Sequence, residues 1–187
     1  MLFNLFGKKK EEASTTPKFV DRVYIGKIGK MNAIINLAKE NPAVIFIGWF
    51  TETLHIFQEA FEKNGLAPER IWNARNLHGG KLADQQPVFL EHYPLHEKEL
   101  AVTEGLKELS IPVYSSMDES LFVYFGSEKM MGIVKLLGMK EEDAIEHPYV
   151  TQSVTRAQQR IAEKVTLEQS ASSQSDWMSR NLPPKEN

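Results

Sequence analysis

Hydrophobic residues recur along the chain in short runs separated by amphipathic stretches. Residues 43–49 form a nearly unbroken apolar run, Ala-Val-Ile-Phe-Ile-Gly-Trp. Such a run is typical of a strand that is covered on both faces of a sheet. Shorter β-branched or aromatic runs predict further strands at 20–25, 71–72, 87–90 and 111–114.

Between these strands, apolar residues three and four positions apart predict helices. Leu54, Phe57 and Phe61 lie on one stripe of a helix that begins after Thr51 or Thr53. Further helices are predicted at 31–39 and 97–109. Strands that alternate with helices of this length predict an α/β fold with a mainly parallel sheet and right-handed crossovers.

The pattern becomes purely helical beyond Met117, with helices predicted at 118–125, 128–137, around Asp143 and at 151–165. We therefore divide the chain into an N-terminal linker (1–18), an α/β domain (19–117), a helical extension (118–165) and a tail (166–187). The tail is rich in serine, glutamine and proline, so we expect it to be disordered. Trp177 is its exception, because a lone tryptophan in a polar tail can anchor a partner.

Composition excludes several classes of protein. With 187 residues the chain can bury one sizeable core, and its net charge of −3 gives no field that would attract nucleic acid. The absence of cysteine removes disulfides and thiolate metal sites, which suits a reducing cytoplasm. No apolar run reaches the ~18 residues of a membrane-spanning helix.

The first ten residues combine apolar and basic side chains. Their order is the reverse of that in a secretory signal, so we expect no export of the chain. Weak peripheral contact with the inner face of an anionic membrane, or with a partner, is the alternative to a frayed end. The residues of this candidate contact are Leu2, Phe3, Leu5, Phe6, Lys8, Lys9 and Lys10.

No catalytic, cofactor or metal site is predicted. Residues 26–31, Gly-Lys-Ile-Gly-Lys-Met, lack the glycine spacing and hydroxyl of a phosphate loop, so we interpret them as a turn between strand and helix. Glu91 follows an apolar strand as a magnesium ligand would, although any strand that meets solvent looks alike. His92 and His96 have the helical spacing of zinc ligands, but Pro94 between them favours an exposed helix start.

Arginine is missing between Arg75 and Arg156, whereas lysine continues through that stretch. Nucleotide-hydrolysing motors stabilise the transferred phosphoryl group with planar guanidinium groups, which lysine does not replace in geometry. This gap argues against hydrolysis.

A resemblance to a known family rests on the second half of the chain. The run from Ser116 to Met131, Ser-Met-Asp-Glu-Ser-Leu-Phe-Val-Tyr-Phe-Gly-Ser-Glu-Lys-Met-Met, continues through Leu-Leu-Gly-Met-Lys at 136–140, Ile-Glu-His-Pro at 145–148 and Thr-Arg-Ala-Gln-Gln-Arg-Ile at 155–161. These motifs resemble the SecA preprotein translocase ATPases, at the junction of their second nucleotide-binding domain and helical scaffold. Residues 19–115 resemble the rest of that domain more loosely.

The resemblance implies a RecA-like fold and a link to protein export. It does not carry over ATPase activity, because the family's nucleotide-contacting loop is shortened here to 76–86 and its arginine-rich helix falls on 92–109, which holds no arginine. We expect a non-catalytic binding or assembly module, with a translocase component as its partner. The alternative is half of a split ATPase that completes a nucleotide site on a separate motor domain. A third possibility, a metal enzyme using the His92 cluster, comes last.

Overall fold

The structure is a computed structural model that describes residues 18–77, 82, 85–106 and 110–183. A six-stranded sheet lies at its centre, in the order β3-β2-β4-β5-β1-β6. The first five strands are parallel to their neighbours and β6 runs antiparallel to β1. The strands are β1 (Lys18–Tyr24), β2 (Val44–Gly48), β3 (Ile71–Asn73), β4 (Gln86–Phe89), β5 (Ser110–Ser116) and β6 (Ala144–Ile145).

Helices cover both faces of the sheet. They are α1 (Lys27–Glu40), α2 (Thr51–Lys63), α3 (His96–Val102), α4 (Ser120–Tyr124), α5 (Ser127–Leu136), α6 (Pro148–Ala162) and α7 (Gln174–Asn181). The predicted α/β class with a mainly parallel sheet is confirmed, and the arrangement is consistent with a RecA-like fold. Two local predictions are wrong. The helix expected to reach residue 109 ends at Val102, and β6 stands where a short helix was expected.

Strand β2 shows how the two faces are built. Because successive side chains of a strand point to opposite faces, Phe46 packs against α1 and α2, while Ile47 packs toward α6 and α7. Phe46 meets Phe61 of α2 edge to face at 5.3 Å between ring centroids. All five residues of β2 are buried, as the apolar run predicted.

The prediction of a disordered tail after residue 166 is wrong for the segment that forms a helix there. Residues Gln174–Asn181 form α7, whose first turn is capped by the Ser173 hydroxyl, and Trp177 is fully buried. Gln174 ties the helix to the body, because its amide accepts from the backbone N–H of Leu121 and donates to the carbonyl of His92. The prediction was wrong because it rested on the average composition of the segment. A few apolar side chains that enter the core offset the entropic cost of ordering it.

The predicted helical extension also belongs to the α/β body. It supplies β6 to the sheet, and Val154 and Ile161 of α6 are buried in the same core as Ile47. In the part of the chain that the structure describes, no helix is both long enough and apolar enough to cross a membrane.

Candidate functional site

The carboxyl ends of the parallel strands are the place where open α/β sheets bind ligands. A small cavity of about 150 Å³ lies there, between the first turns of α1 and α2 and the start of α7. Its polar lining includes Lys27, Lys30, Thr53, Glu91 and Glu119. The chemistry of the cavity depends on which of these groups are free.

The first turn of α1 is already occupied. The backbone N–H of Lys27 donates to the Asp118 carboxylate at 3.2 Å, and a Cβ added at Gly29 would lie 1.8 Å from the carbonyl oxygen of Glu141. An anion at this helix start would therefore have to displace one carboxylate, and the backbone of Glu141 already packs against Gly29 in the same turn. As expected, residues 26–31 turn from strand to helix, with Gly26 as the N-cap.

The first turn of α2 is occupied by Glu91. One carboxylate oxygen accepts from the backbone N–H groups of Trp49 (3.1 Å) and Phe50 (3.2 Å), and the other accepts from the Thr53 hydroxyl at 2.8 Å. Burial raises the pKa of Glu91 to about 7, although the charge of Lys30 and these hydrogen bonds oppose the rise. Glu91 is thus an internal ligand of this helix start, whereas the sequence suggested a strand end that meets solvent.

The ammonium of Lys30, the lysine nearest to the position that a phosphate loop would use, is neutralised by Glu119. Its Nζ lies 2.5 Å from Oε1 of Glu119, and the two side chains are 6% and 8% exposed. The same oxygen accepts from the backbone N–H and hydroxyl of Ser116. Lys30 is consequently paired within the chain and is not held ready for a ligand.

A second buried network surrounds His92. Its Nε2 lies 2.5 Å from Oδ1 of Asp21 and its Nδ1 lies 2.8 Å from Oε1 of Glu99. His96 and the amide of Gln158 contact the other oxygen of Glu99, at 3.1 and 2.8 Å. The predicted exposed helix start is wrong for His92, because its ring is buried between two carboxylates that come from β1 and α3.

Charge holds this network together. Burial alone would lower the pKa of His92, but the charges of Glu99 and Asp21 raise it well above its usual value. Burial alone would raise the pKa of Glu99, but His92 lowers it to about 2. The group is therefore an imidazolium between two carboxylates, which suits a structural tie. Within the described ranges, no group of histidine and acidic side chains is arranged to hold a metal ion.

Sequence reasoning identified some of these residues and missed others. It singled out Glu91, His92 and His96 but overlooked Asp21, which the strand period could have found, since Asp21 shares the buried face of β1 with Phe19 and Val23. Trp177, proposed as an exposed anchor, is buried and its indole N–H donates to Glu168. The candidate contact from Leu2 to Lys10 lies outside the described residues.

An exposed apolar surface lies on α4, α5 and α6. Helix α5 has no buried residue, and Leu136 and Leu137 at its end are 89% and 81% exposed. Phe125, Met130 and Tyr149 line an adjoining groove of about 370 Å³. We call this region the α5 surface. Contiguous exposed apolar area of this kind marks interaction sites in soluble proteins.

No protein-family profile matches the chain. Comparison with curated proteins finds the protein translocase subunit SecA of Acidithiobacillus ferrooxidans, 48% identical over 48 residues, and that of Coxiella burnetii, 42% identical over 48 residues. Each match covers 26% of this chain and 5% of the relative. This length is close to that of the stretch from Ser116 to Ile161 on which the resemblance rests. One region of this chain is therefore related to SecA.

Proposed function

We propose that the chain is a non-catalytic, SecA-related binding module linked to protein translocation. One observation carries the proposal: the starts of α1 and α2 at the carboxyl end of the sheet are occupied by the chain's own carboxylates, Asp118 and Glu91. Such helix starts are where a phosphate would be bound. A polyphosphate would have to displace both groups and then lie beside them, at the cost of like-charge repulsion.

The α5 surface supports the binding part of the proposal. An apolar helix face without buried residues is costly to leave in water, and a protein partner that covers it would recover that free energy. The relation to SecA makes a component of the translocase the partner to test first. Weak peripheral contact with an anionic membrane through residues 2–10 stays a prediction beside it.

The non-catalytic part is tested by calorimetric titration of the purified chain with Mg-ATP and by a phosphate-release assay. We expect neither heat of binding in the micromolar range nor turnover above background. Micromolar binding would contradict the proposal. So would turnover that is lost when an exposed basic residue is replaced, in Lys27→Ala or Arg75→Ala. Turnover that appears only when a separate first motor domain is added would favour the split-ATPase alternative.

The binding part is tested with SecA of the same organism as the probe. We expect saturable association that weakens at least tenfold in the double variant Leu136→Ser, Leu137→Ser. Leu167→Ser is the matched control, because Leu167 is 82% exposed and lies outside the α5 surface. Equal binding by both variants, or none by the unmodified chain, would remove the α5 surface as the contact.

A further inference from the structure

A second cavity, of about 350 Å³, lies beyond the carboxyl ends of β2, β3 and β4 and shares no lining residue with the first cavity. We call it the aromatic pocket. Its wall is made of three rings, in which Tyr93 lies 5.0 Å from Trp49 and 5.6 Å from Phe50 between ring centroids. Arg75, Lys98 and Glu168 supply its charges. The volume is at the lower end of the range for small-ligand sites.

Glu168 is fully engaged within the pocket. It accepts from the Tyr93 hydroxyl and, at 3.0 Å, from the indole N–H of Trp177, and it forms an ion pair with Lys98 at 3.3 Å. The charges of Glu168 and Lys98 therefore largely cancel, and among the described residues that line the pocket the remaining charge is that of Arg75. Within the described part of the chain, the guanidinium of Arg75 forms no hydrogen bond or ion pair.

Trp49, a residue of the pocket wall, also carries a donor that lacks an acceptor. The indole N–H of Trp49 is buried and has no hydrogen-bond partner among the described residues. Trp49 as a whole is 8% exposed. An unsatisfied buried donor of this kind costs about 1–3 kcal/mol, and native proteins seldom leave one without a reason. A ligand whose acceptor oxygen reaches the buried edge of this indole would satisfy it.

We propose that the aromatic pocket binds a carboxylate attached to an aromatic or apolar group. A singly charged carboxylate matches the single excess positive charge, and the planar guanidinium of Arg75 can hold both of its oxygens. The rings of Trp49, Phe50 and Tyr93 would pack against the attached group. A phosphate carries more negative charge than the single guanidinium of Arg75 can neutralise. The ligand is either a free aromatic acid or the C-terminal residue of a peptide, since both present this chemistry.

The test uses phenylacetate with the full chain and follows tryptophan fluorescence, because Trp49 lines the pocket. We expect a saturable change in emission, at least tenfold weaker binding for Arg75→Gln, and unchanged binding for Arg156→Gln, which removes an exposed arginine of α6. Phenylacetamide, which lacks the charge, should bind at least tenfold more weakly than phenylacetate. In Trp49→Phe the affinity should fall even though an aromatic ring remains, with ligand-detected NMR replacing the lost signal.

A second arm compares a tetrapeptide that ends in phenylalanine with its C-terminal amide. Preference for the free acid over both the amide and phenylacetate would assign the pocket to a chain terminus, whereas equal binding of phenylacetate and the acid would assign it to a small molecule. The proposal is overturned if phenylacetate gives no saturable change, if phenylacetamide binds as well, or if Arg75→Gln binds normally while its thermal midpoint is unchanged. Displacement of phenylacetate by Mg-ATP at equal concentration would also overturn it.

Discussion

Among single residues, Glu91 combines complete burial with three hydrogen bonds. Its raised pKa, about 7 against 4.5 for a free glutamate, means that the folded chain holds this proton more tightly than the unfolded chain does. The stability that the proton gives is present below pH 4.5 and is lost as the pH rises toward 7. At pH 8 the ionised group therefore costs the folded state on the order of 3 kcal/mol.

We predict that Glu91→Gln flattens this pH dependence. The amide can accept from the N–H groups of Trp49 and Phe50 and can donate to the Thr53 hydroxyl, and it carries no charge to bury. Urea unfolding at pH 5 and pH 8 should show a variant that is close to the unmodified chain at pH 5 and more stable at pH 8. Glu52→Gln, at an exposed carboxylate in the first turn of α2, is the control and should change neither value. Parallel pH curves for Glu91→Gln and the unmodified chain would contradict the assignment.

The residues at the carboxyl end of the sheet also show which features of the site could be predicted from the sequence. The turn from strand to helix at residues 26–31 could be predicted from the sequence, because it depends on local spacing. The roles of Asp21, Glu91 and Glu119 could not, because each depends on a partner from a distant element. A buried carboxylate and an exposed one look the same along a sequence, and only the alternation of β1 hinted that Asp21 faces the core.

At the level of elements, the contact of α1 with the loop before β6 decides what the first turn of α1 can accept. Gly29 allows this contact, because a Cβ at its position would lie 1.8 Å from a backbone oxygen of Glu141 and backbone cannot move aside cheaply. The glycines of this turn thus serve packing between two parts of the chain.

We predict opposite effects for two glycine-to-alanine changes in helices. Gly29→Ala should lower the free energy of unfolding by about 1–3 kcal/mol, because the loop that carries Glu141 must shift. Gly132→Ala should raise it by up to about 1 kcal/mol, because nothing lies within 4 Å of the added Cβ and alanine favours the helix. Thermal or urea unfolding of both variants checks this. Equal effects would show that α1 does not contact the loop as described.

Elements differed in how well the sequence predicted them. Strand β2 was predicted because a strand buried on both faces must be apolar throughout, which leaves a local signal. Helix α7 was missed because its core contacts come from Trp177, Met178 and Leu182, which are embedded in serine and polar residues. These side chains are buried against a surface to which Phe50, Tyr93 and Leu121 contribute. Because that surface is assembled from distant parts of the chain, the local sequence of α7 does not reveal it.

For the whole molecule, the common core of the α/β segment and the helical segment predicts one cooperative unfolding transition. Residues from β2, α6 and α7 share a single cluster, with Trp177 fully buried in it. The boundary that the sequence suggested near Met117 therefore separates two parts of one folding unit.

We predict that Trp177→Ala lowers the free energy of unfolding by about 3–5 kcal/mol, a large share of the stability of a domain of this size. Within each protein, the variant and the unmodified chain, far-UV and near-UV circular dichroism should report one common midpoint. The midpoint of the variant should be the lower of the two. Leu167→Ala, at an exposed position close to α7, should change the midpoint little. Loss of α7 alone, with the sheet still melting at its original midpoint, would contradict a single unit.

The position of β1 in the sheet has a consequence for the newly made chain. Its neighbours are β5 and β6, and the bond from Arg22 to Tyr114 already joins residues 92 positions apart. While the intervening segment is being synthesised, both edges of β1 lack their partners, and Phe19 and Val23 have no core to enter. Pairing over such separations slows folding, and an open strand edge invites wrong associations. The nascent chain is therefore a candidate client for chaperones until β5 has emerged from the ribosome.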